Sequence, residues 1–161
     1  MITQETMPKE NVGMKNKEQI LAALNKQVAN WTILYTKLHN FHWFVKGEAF
    51  FTLHQKFEEL YTEAADHLDA LAERVLTLQG RPVATLKEAL QTASVQEAAG
   101  SKNARQMAEQ VIGDFDILTR ELEEGIRLAD ESGDEATGDL LLSIQSSLQK
   151  HQWMLRSFLG Q

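Results

Sequence analysis

Two histidines and three carboxylates in the first half of the chain have the side chains of a metal site. His42 and His54 lie among aromatic residues on either side of a single glycine. Glu58 follows His54 by four residues, and Asp69 and Glu73 repeat that spacing further along. Because the sequence contains no cysteine, a metal here would be bound by imidazole and carboxylate groups, which suit iron, manganese or zinc better than copper(I).

Each of these pairs also has an ordinary structural explanation. A histidine and a carboxylate four residues apart are common on solvated helices, where they form a weak side-chain pair. A single histidine among aromatic residues more often packs in a core with its nitrogens hydrogen-bonded than it binds a metal. The residue types alone therefore leave both a metal site and structural packing open.

Distances along one helix limit which residues can share an ion. On a helical wheel His54, Glu58, Asp69 and Glu73 fall within about 100° of one another, at the border between the apolar and charged faces. Glu58 and Asp69 are nevertheless about 16 Å apart along the axis at about 1.5 Å per residue. Ligands to one ion lie about 2 Å from it, so the two pairs cannot share an ion within one chain.

The numbering of the four positions is symmetric about the point between residues 63 and 64. If two copies of this helix cross antiparallel about a two-fold axis there, His54 of one chain meets Asp69 and Glu73 of the other. Such an interface repeats every contact and creates two equal sites, each of which His42 can close. No Glu-x-x-His motif, by which di-iron bundles bind metal inside one subunit, occurs in the sequence. The spacing therefore predicts a site between chains.

The elements that carry these residues are predicted to be helices almost throughout. The only two prolines, Pro8 and Pro82, lie outside the periodic apolar segments. We expect an all-α, ferritin-like antiparallel four-helix bundle with a short extra helix, "TLKEAL", in the crossover between the second and third helices. The predicted N-caps are Asn16, Thr85 and Asp134. The predicted long helices span residues 17–46, 50–79, 103–130 and 135–159, in a domain of residues 16–161 that follows a flexible tail of residues 1–15.

Composition excludes several classes of function. The formal net charge is −7, from 16 basic and 23 acidic residues, so the surface repels phosphate backbones and attracts cations. The sequence contains no apolar stretch of about 20 residues and no signal-like apolar segment near its N-terminus. Together with the lack of cysteine, these features predict a cytoplasmic protein with no membrane partner.

A longer pattern around the candidate ligands resembles a known family. The stretch "LHNFHWFVKGEAFFTLHQKFEELY", followed by "DHLDALAERVLTLQGRP", is similar to the signature of Dps proteins, the dodecameric mini-ferritins. The similarity extends to "ATLKEAL", to "DEATGDLL" and to the ending "KHQWMLRSFLG". It implies a hollow shell of twelve subunits that oxidises Fe2+, preferably with hydrogen peroxide rather than oxygen. The ferric product is stored inside as mineral, which protects against peroxide and Fenton damage.

The resemblance also assigns roles to individual residues. Glu58 stands where the family usually has aspartate, so its carboxylate reaches one methylene further towards the second of two iron positions. Trp43 matches a tryptophan beside the site that can be oxidised in place of diffusing radicals. The implied ferroxidase ligands are His42, His54, Asp69 and Glu73, the last two acting across the dimer two-fold axis.

Acidic pores on three-fold axes are a further implication of the resemblance. Asp130, Glu135 and Asp139 match the pore positions, and Asp134 lies next to them. Asp134 has a structural alternative, because aspartate is also a good helix N-cap. The remaining histidines match no ligand position and are predicted to be packing or surface residues: His39, His67 and His151.

Two other functions compete with iron storage. Some Dps proteins compact DNA through a lysine-rich terminal tail, so the alternative is a nucleoid-associated, DNA-binding stress protein. Residues 1–19 carry three lysines and three glutamates, a near-neutral tail on an acidic shell. We therefore expect DNA binding to be weak or absent at physiological salt. A structural helical oligomer without catalysis is the third possibility.

Overall fold

The fold is all-α, as the periodicity predicts. The computed structural model describes residues 9–161, with side chains described from Gly13 onward. Within that range there are five helices and no strand: α1 (Lys9–Phe44), α2 (Phe50–Thr77), α3 (Leu86–Thr92), α4 (Ala104–Glu131) and α5 (Glu135–Phe158). None of these helices combines the length and apolarity needed to cross a membrane.

Four long helices form the bundle and α3 is the short helix of the crossover. The connections α1–α2 and α4–α5 are only a few residues long, so each pair packs as an antiparallel hairpin. Helix α1 also packs on α4 and α3, which joins the two hairpins. Trp31, Phe41, Phe57 and Phe115 are the largest fully buried side chains of the shared core. The predicted four-helix bundle with an extra crossover helix is confirmed.

Helix α1 begins at Lys9, so the prediction that it begins at Lys17 behind an Asn16 cap is wrong. After Pro8 the sequence contains one weak helix former, Gly13, and its cost of about 1 kcal/mol is not enough to end a helix among lysine, glutamate and methionine. The predicted tail of residues 1–15 is therefore helical from Lys9, and its residues 1–8 lie outside the described part of the chain.

The helix ends of the crossover are capped largely as expected. Thr85 accepts a hydrogen bond from the Glu88 amide (3.2 Å), but the Glu88 carboxylate accepts from the Ala84 amide rather than from the Thr85 amide. The predicted capping box is thus only half formed at α3. A complete box opens α4 instead, because Asn103 accepts from the Gln106 amide (2.8 Å) and the Gln106 side chain accepts from the Asn103 amide (2.9 Å).

Polar side chains of α1 hold the crossover in place. The Asn30 side chain accepts from the Ser94 amide (2.7 Å) and donates to Glu121 on α4 (2.7 Å). Lys37 donates to the Gln96 carbonyl (2.9 Å) and is buried beside α4. These contacts satisfy backbone groups in a segment with little regular structure, and they tie that segment and α4 to α1.

Candidate metal centre

The turn between α1 and α2 brings the two central histidines together. Gly47 adopts φ +100, in the left-handed region that favours glycine, and its carbonyl accepts from the Phe50 amide (3.0 Å). The chain reverses there, so His42 in the last turn of α1 lies against His54 near the start of α2. Their rings are stacked, with centroids 3.7 Å apart and planes at 18°.

Reciprocal hydrogen bonds orient both imidazole rings. His42 Nδ1 lies 2.7 Å from the His54 carbonyl oxygen, and His54 Nδ1 lies 2.7 Å from the His42 carbonyl oxygen. A carbonyl only accepts, so each Nδ1 carries the proton and donates it. In each neutral ring Nε2 is then unprotonated and free to bind a metal, the arrangement that orients most metal-binding histidines in proteins.

The same hydrogen bonds stabilise the end of α1. The His42 carbonyl is one of the last four of that helix, which have no amide donor inside it. The His54 ring supplies the missing donor, so one side chain both satisfies the end of α1 and is a candidate metal ligand. The local fold and the site therefore depend on the same two residues.

Aromatic side chains enclose the histidine pair, and the sequence pattern did not single them out. Phe50 stacks on His54 with centroids 4.9 Å apart, and Tyr61 meets His42 edge-on at 5.3 Å. His39 stacks on Tyr61 at 3.7 Å and so has the packing role expected of it. The only available sequence signal for Tyr61 was its place one helical turn after the Glu58 carboxylate.

The three candidate carboxylates are all exposed on α2. Partial burial and the neighbouring Glu58 carboxylate raise the pKa of Tyr61, which follows Glu58 by three residues on α2. Asp69 and Glu73 lie further along the same helix and do not meet the histidines. Within the described residues of one chain, no three histidine, aspartate or glutamate side chains are close enough to hold a metal ion.

Exposed apolar surface lies near the histidine pair and near Asp69. Trp43 is 66% exposed, and Leu86, which begins α3, is 70% exposed. Asp69 borders a largely apolar groove of about 480 Å³ between α1, α2 and the start of α3, with Tyr35 and Leu68 among its lining residues. Apolar surface of this kind marks interaction sites in proteins.

The predicted pore residues gather at the turn between α4 and α5. Asp134 caps α5, because its side chain accepts from the Thr137 amide (3.1 Å), and it pairs with Arg74 (2.8 Å). Burial opposes ionisation, but the Thr137 hydrogen bonds and Arg74 hold the pKa of Asp134 below its usual range. Its predicted N-cap role is confirmed. The other three pore residues are exposed: Asp130, Glu135 and Asp139.

A polar cluster between α2 and α5 lies apart from the candidate ligands. Glu63 accepts hydrogen bonds from His151 Nε2 and the Ser147 hydroxyl, and His67 Nε2 lies 3.3 Å away. Lys56 donates to His151 Nδ1 (3.0 Å), and His151 Nε2 is the nitrogen that donates to Glu63. His151 is buried, as expected of a packing residue, and the cluster joins two helices that share few other contacts.

Because of Glu63, the stability that this cluster contributes to the fold changes with pH in the acid range. Burial opposes its ionisation, but hydrogen bonds from His151 and Ser147, together with the nearby His67 ring, hold the pKa of Glu63 well below its usual range. The pKa of Glu63 is lower in the folded protein than in the unfolded chain, where it is about 4.3. The ionised carboxylate therefore stabilises the fold at pH values above about 4.3, and this stabilisation is lost as the pH falls below that value. We expect Glu63→Gln to cost about 2 kcal/mol at pH 7 and progressively less below about pH 4.

Urea unfolding followed by circular dichroism between about pH 3 and pH 7 measures this difference. Glu123→Gln is the matched control, because Glu123 is exposed on α4, away from the cluster, and its variant should match the wild type at every pH. A cost of Glu63→Gln that stayed constant across the range would contradict the assignment.

Comparisons with known proteins place this arrangement in a family. The family model for the ferritin-like domain matches residues 21–161. General stress protein 20U of Bacillus subtilis (strain 168) is 59% identical over 143 residues, covering 89% of this chain and 99% of that protein. The crystal structure of a Dps protein from Bacillus brevis has a TM-score of 0.89 and 53% identity, covering 90% of this chain and 97% of that one.

A third relative adds the metal chemistry of the wider group. The crystal structure of a Dps protein from Vibrio cholerae O1 matches with a TM-score of 0.86 and 34% identity, covering 90% of this chain and 91% of that one. That protein is described as a member of a broad superfamily of ferritin-like diiron-carboxylate proteins. The chain, with its ferritin-like bundle and paired histidines, therefore belongs to the Dps family of the ferritin-like superfamily.

Proposed function

We propose that this protein oxidises Fe2+, preferably with hydrogen peroxide, and stores the ferric product as mineral inside a hollow homododecamer. The observation that carries the proposal is the stacked His42–His54 pair, whose reciprocal hydrogen bonds leave both Nε2 atoms free. Iron is the substrate, and the diiron-carboxylate character of the superfamily suits it. The process removes Fe2+ and peroxide together, which protects the cell from Fenton chemistry, and we expect it to act in the cytoplasm.

Each site takes its ligands from two subunits. One subunit supplies His42, His54 and Glu58, and the partner subunit supplies its own Asp69 and Glu73. Support comes from the mirrored spacing on α2, from the separation of the two groups in one chain, and from the exposed apolar surface near both. An isologous two-fold interface gives two such sites per dimer, each with two iron positions.

The residue types suit the oxidation of iron in pairs. Carboxylates are hard oxygen ligands and favour Fe3+ over Fe2+, whereas the imidazoles bind both. Two Fe2+ ions give one electron each to hydrogen peroxide, which takes up two protons and leaves as two molecules of water. No hydroxyl radical is released in this stoichiometry. Trp43 is exposed and lies 5.3 Å from the His39 ring, and the resemblance implies that it would be oxidised if a radical did form.

The exposed acidic residues of the α4–α5 turn concentrate cations for this reaction. Three copies of Asp130, Glu135 and Asp139 around a three-fold axis would produce a strongly negative pore mouth. The chain's net charge of −7 has the same sign. That charge also favours iron uptake over DNA compaction as the main function, and we expect DNA contacts to be weak or absent.

Fe2+ oxidation with peroxide and with oxygen tests the proposal directly. We expect oxidation by half as much peroxide as iron to be several-fold faster than oxidation in air, without spin-trapped hydroxyl radical. Light scattering of the same sample should show a particle of twelve subunits. A monomer or dimer that does not accelerate Fe2+ oxidation over free iron would overturn the proposal.

A further inference from the structure

One arginine ties the acidic α4–α5 turn to the last turns of α2. Arg74 Nε donates to the Thr137 hydroxyl (2.9 Å), and its terminal nitrogen donates to Asp134 Oδ1 (2.8 Å). The Thr137 hydroxyl in turn donates to Asp134 Oδ2 (2.5 Å), and Thr137 is fully buried. Arginine's planar fork makes both contacts at once, a geometry that lysine cannot reproduce.

This network occupies the carboxylate of Asp134. Oδ1 accepts from Arg74 and from the Thr137 amide, and Oδ2 accepts from the Thr137 hydroxyl. The side chain of Asp134 is 17% exposed and its charge is paired. It differs in this respect from its acidic neighbours, which are exposed: Asp130, Glu135 and Asp139.

The position of the first turn of α5 decides where the exposed acids lie. Glu135 and Asp139 are four residues apart on one face of α5, whereas Asp130 is the next-to-last residue of α4. Only residues 132–134 connect the two helices, and Gly133 among them has φ +69. Backbone hydrogen bonds from Gly133 and Asp134 tie the connection to the end of α4, and Arg74 ties the start of α5 to α2.

We propose that Arg74 is a positioning residue for cation uptake, and that Asp134 is its anchor rather than a cation ligand. By holding the first turn of α5 against α2, Arg74 fixes the position of the exposed Glu135 and Asp139 relative to Asp130. The inference rests on the proposed function, because it concerns how Fe2+ reaches the oxidation site.

The positive charge of Arg74 and its hydrogen bonds have opposite effects on Fe2+ uptake. A positive charge near the acidic turn weakens the attraction of Fe2+, so its removal alone would favour uptake. Arg74→Lys separates the two effects, because lysine keeps the charge and loses the double contact. A purely electrostatic role predicts wild-type behaviour for Arg74→Lys, whereas a positioning role predicts weaker uptake.

The experiment is the rate of peroxide-driven oxidation against Fe2+ concentration for the assembled protein. We expect Arg74→Lys to raise the half-saturating Fe2+ concentration by about three-fold or more, with the maximal rate within about two-fold of the wild type and particle size unchanged. Arg127→Lys is the matched control, since Arg127 is an exposed arginine paired with Glu124 and Glu131 on α4. It should leave both parameters unchanged.

Asp134→Asn in the Arg74→Lys background tests the anchor assignment. If Asp134 acts only through Arg74, the second substitution adds no further rise in the half-saturating concentration. A further rise would show that its charge attracts cations directly and would overturn the assignment. If Arg74→Lys does not assemble, Thr137→Val should produce the same uptake defect and Thr137→Ser should not, because serine keeps the hydroxyl that Arg74 contacts.

An unchanged half-saturating concentration in Arg74→Lys, or a parallel loss of maximal rate, overturns the positioning role. Either result is distinguishable from a failure of the proposed function, which shows as absent Fe2+ oxidation in the wild type and removes both proposals together.

Discussion

Subunits carrying His54→Ala and subunits carrying Asp69→Ala should each fail to oxidise Fe2+ alone, yet recover about a quarter of the wild-type rate when co-assembled. In a mixed dimer, one site contains both substitutions and is inactive. The other combines the intact histidines of one subunit with the intact carboxylates of its partner. Random pairing makes about half of the dimers mixed, each with one of its two sites restored.

A second mixture provides the control for this experiment. Subunits carrying His42→Ala and subunits carrying His54→Ala change the same half of the site, so a mixed dimer has no intact site and should stay inactive. Asp66→Ala removes an exposed carboxylate of α2 near Asp69 and should leave the rate unchanged. Recovery in neither mixture would place the ligands within one chain, contrary to the proposal.

Asp114→Ala should be among the most destabilising single substitutions in the bundle, by about 3–5 kcal/mol. Lys37 Nζ lies 2.7 Å from Asp114 Oδ2, and the two side chains are only 2% and 3% exposed. Burial raises the pKa of Asp114, while Lys37 and Gln110 act in the opposite direction. Removing the carboxylate leaves the Lys37 charge buried without its counter-charge, although its hydrogen bond to the Gln96 carbonyl remains.

Thermal unfolding at a fixed subunit concentration measures this effect, which corresponds to a fall in Tm of about 10 °C. The control is Lys37→Met combined with Asp114→Leu, which removes both charges while keeping apolar volume. A buried ion pair replaced by apolar groups often costs little, so the double variant should lie much closer to the wild type. If Asp114→Ala were no worse than the double variant, the buried charge would not be the cause.

Most of the helical architecture follows from local sequence. Apolar periodicity, Pro82 and the glycines place the ends of α2, α4 and α5 within two residues of their observed positions. The predicted start of α1 lies eight residues after the observed one, because Asn16 resembles a cap although Gly13, the weakest helix former between Pro8 and Asn16, does not end the helix. Capping residues indicate where a helix can begin, but not that it does.

Contacts between distant segments could not be predicted in the same way. Glu63 falls on the charged face of a helical wheel, yet His151 and Ser147 of α5 close over it. Likewise nothing near Lys37 in the sequence identifies Asp114 as its partner. These pairs lie some eighty residues apart in sequence, and only the packing of whole helices brings them together.

At the candidate site, too, the sequence identified the residues and the tertiary structure decided how they are held. Residue types and the four-residue spacings on α2 were enough to identify His54, Glu58, Asp69 and Glu73 as candidate ligands, and the helical rise was enough to separate them into two groups. The tertiary structure decided how the histidines are held, because the turn at Gly47 places each Nδ1 against the carbonyl of the other residue. A hydrogen bond depends on the positions of two atoms in space, whereas spacing along a helix specifies only which residues share a face.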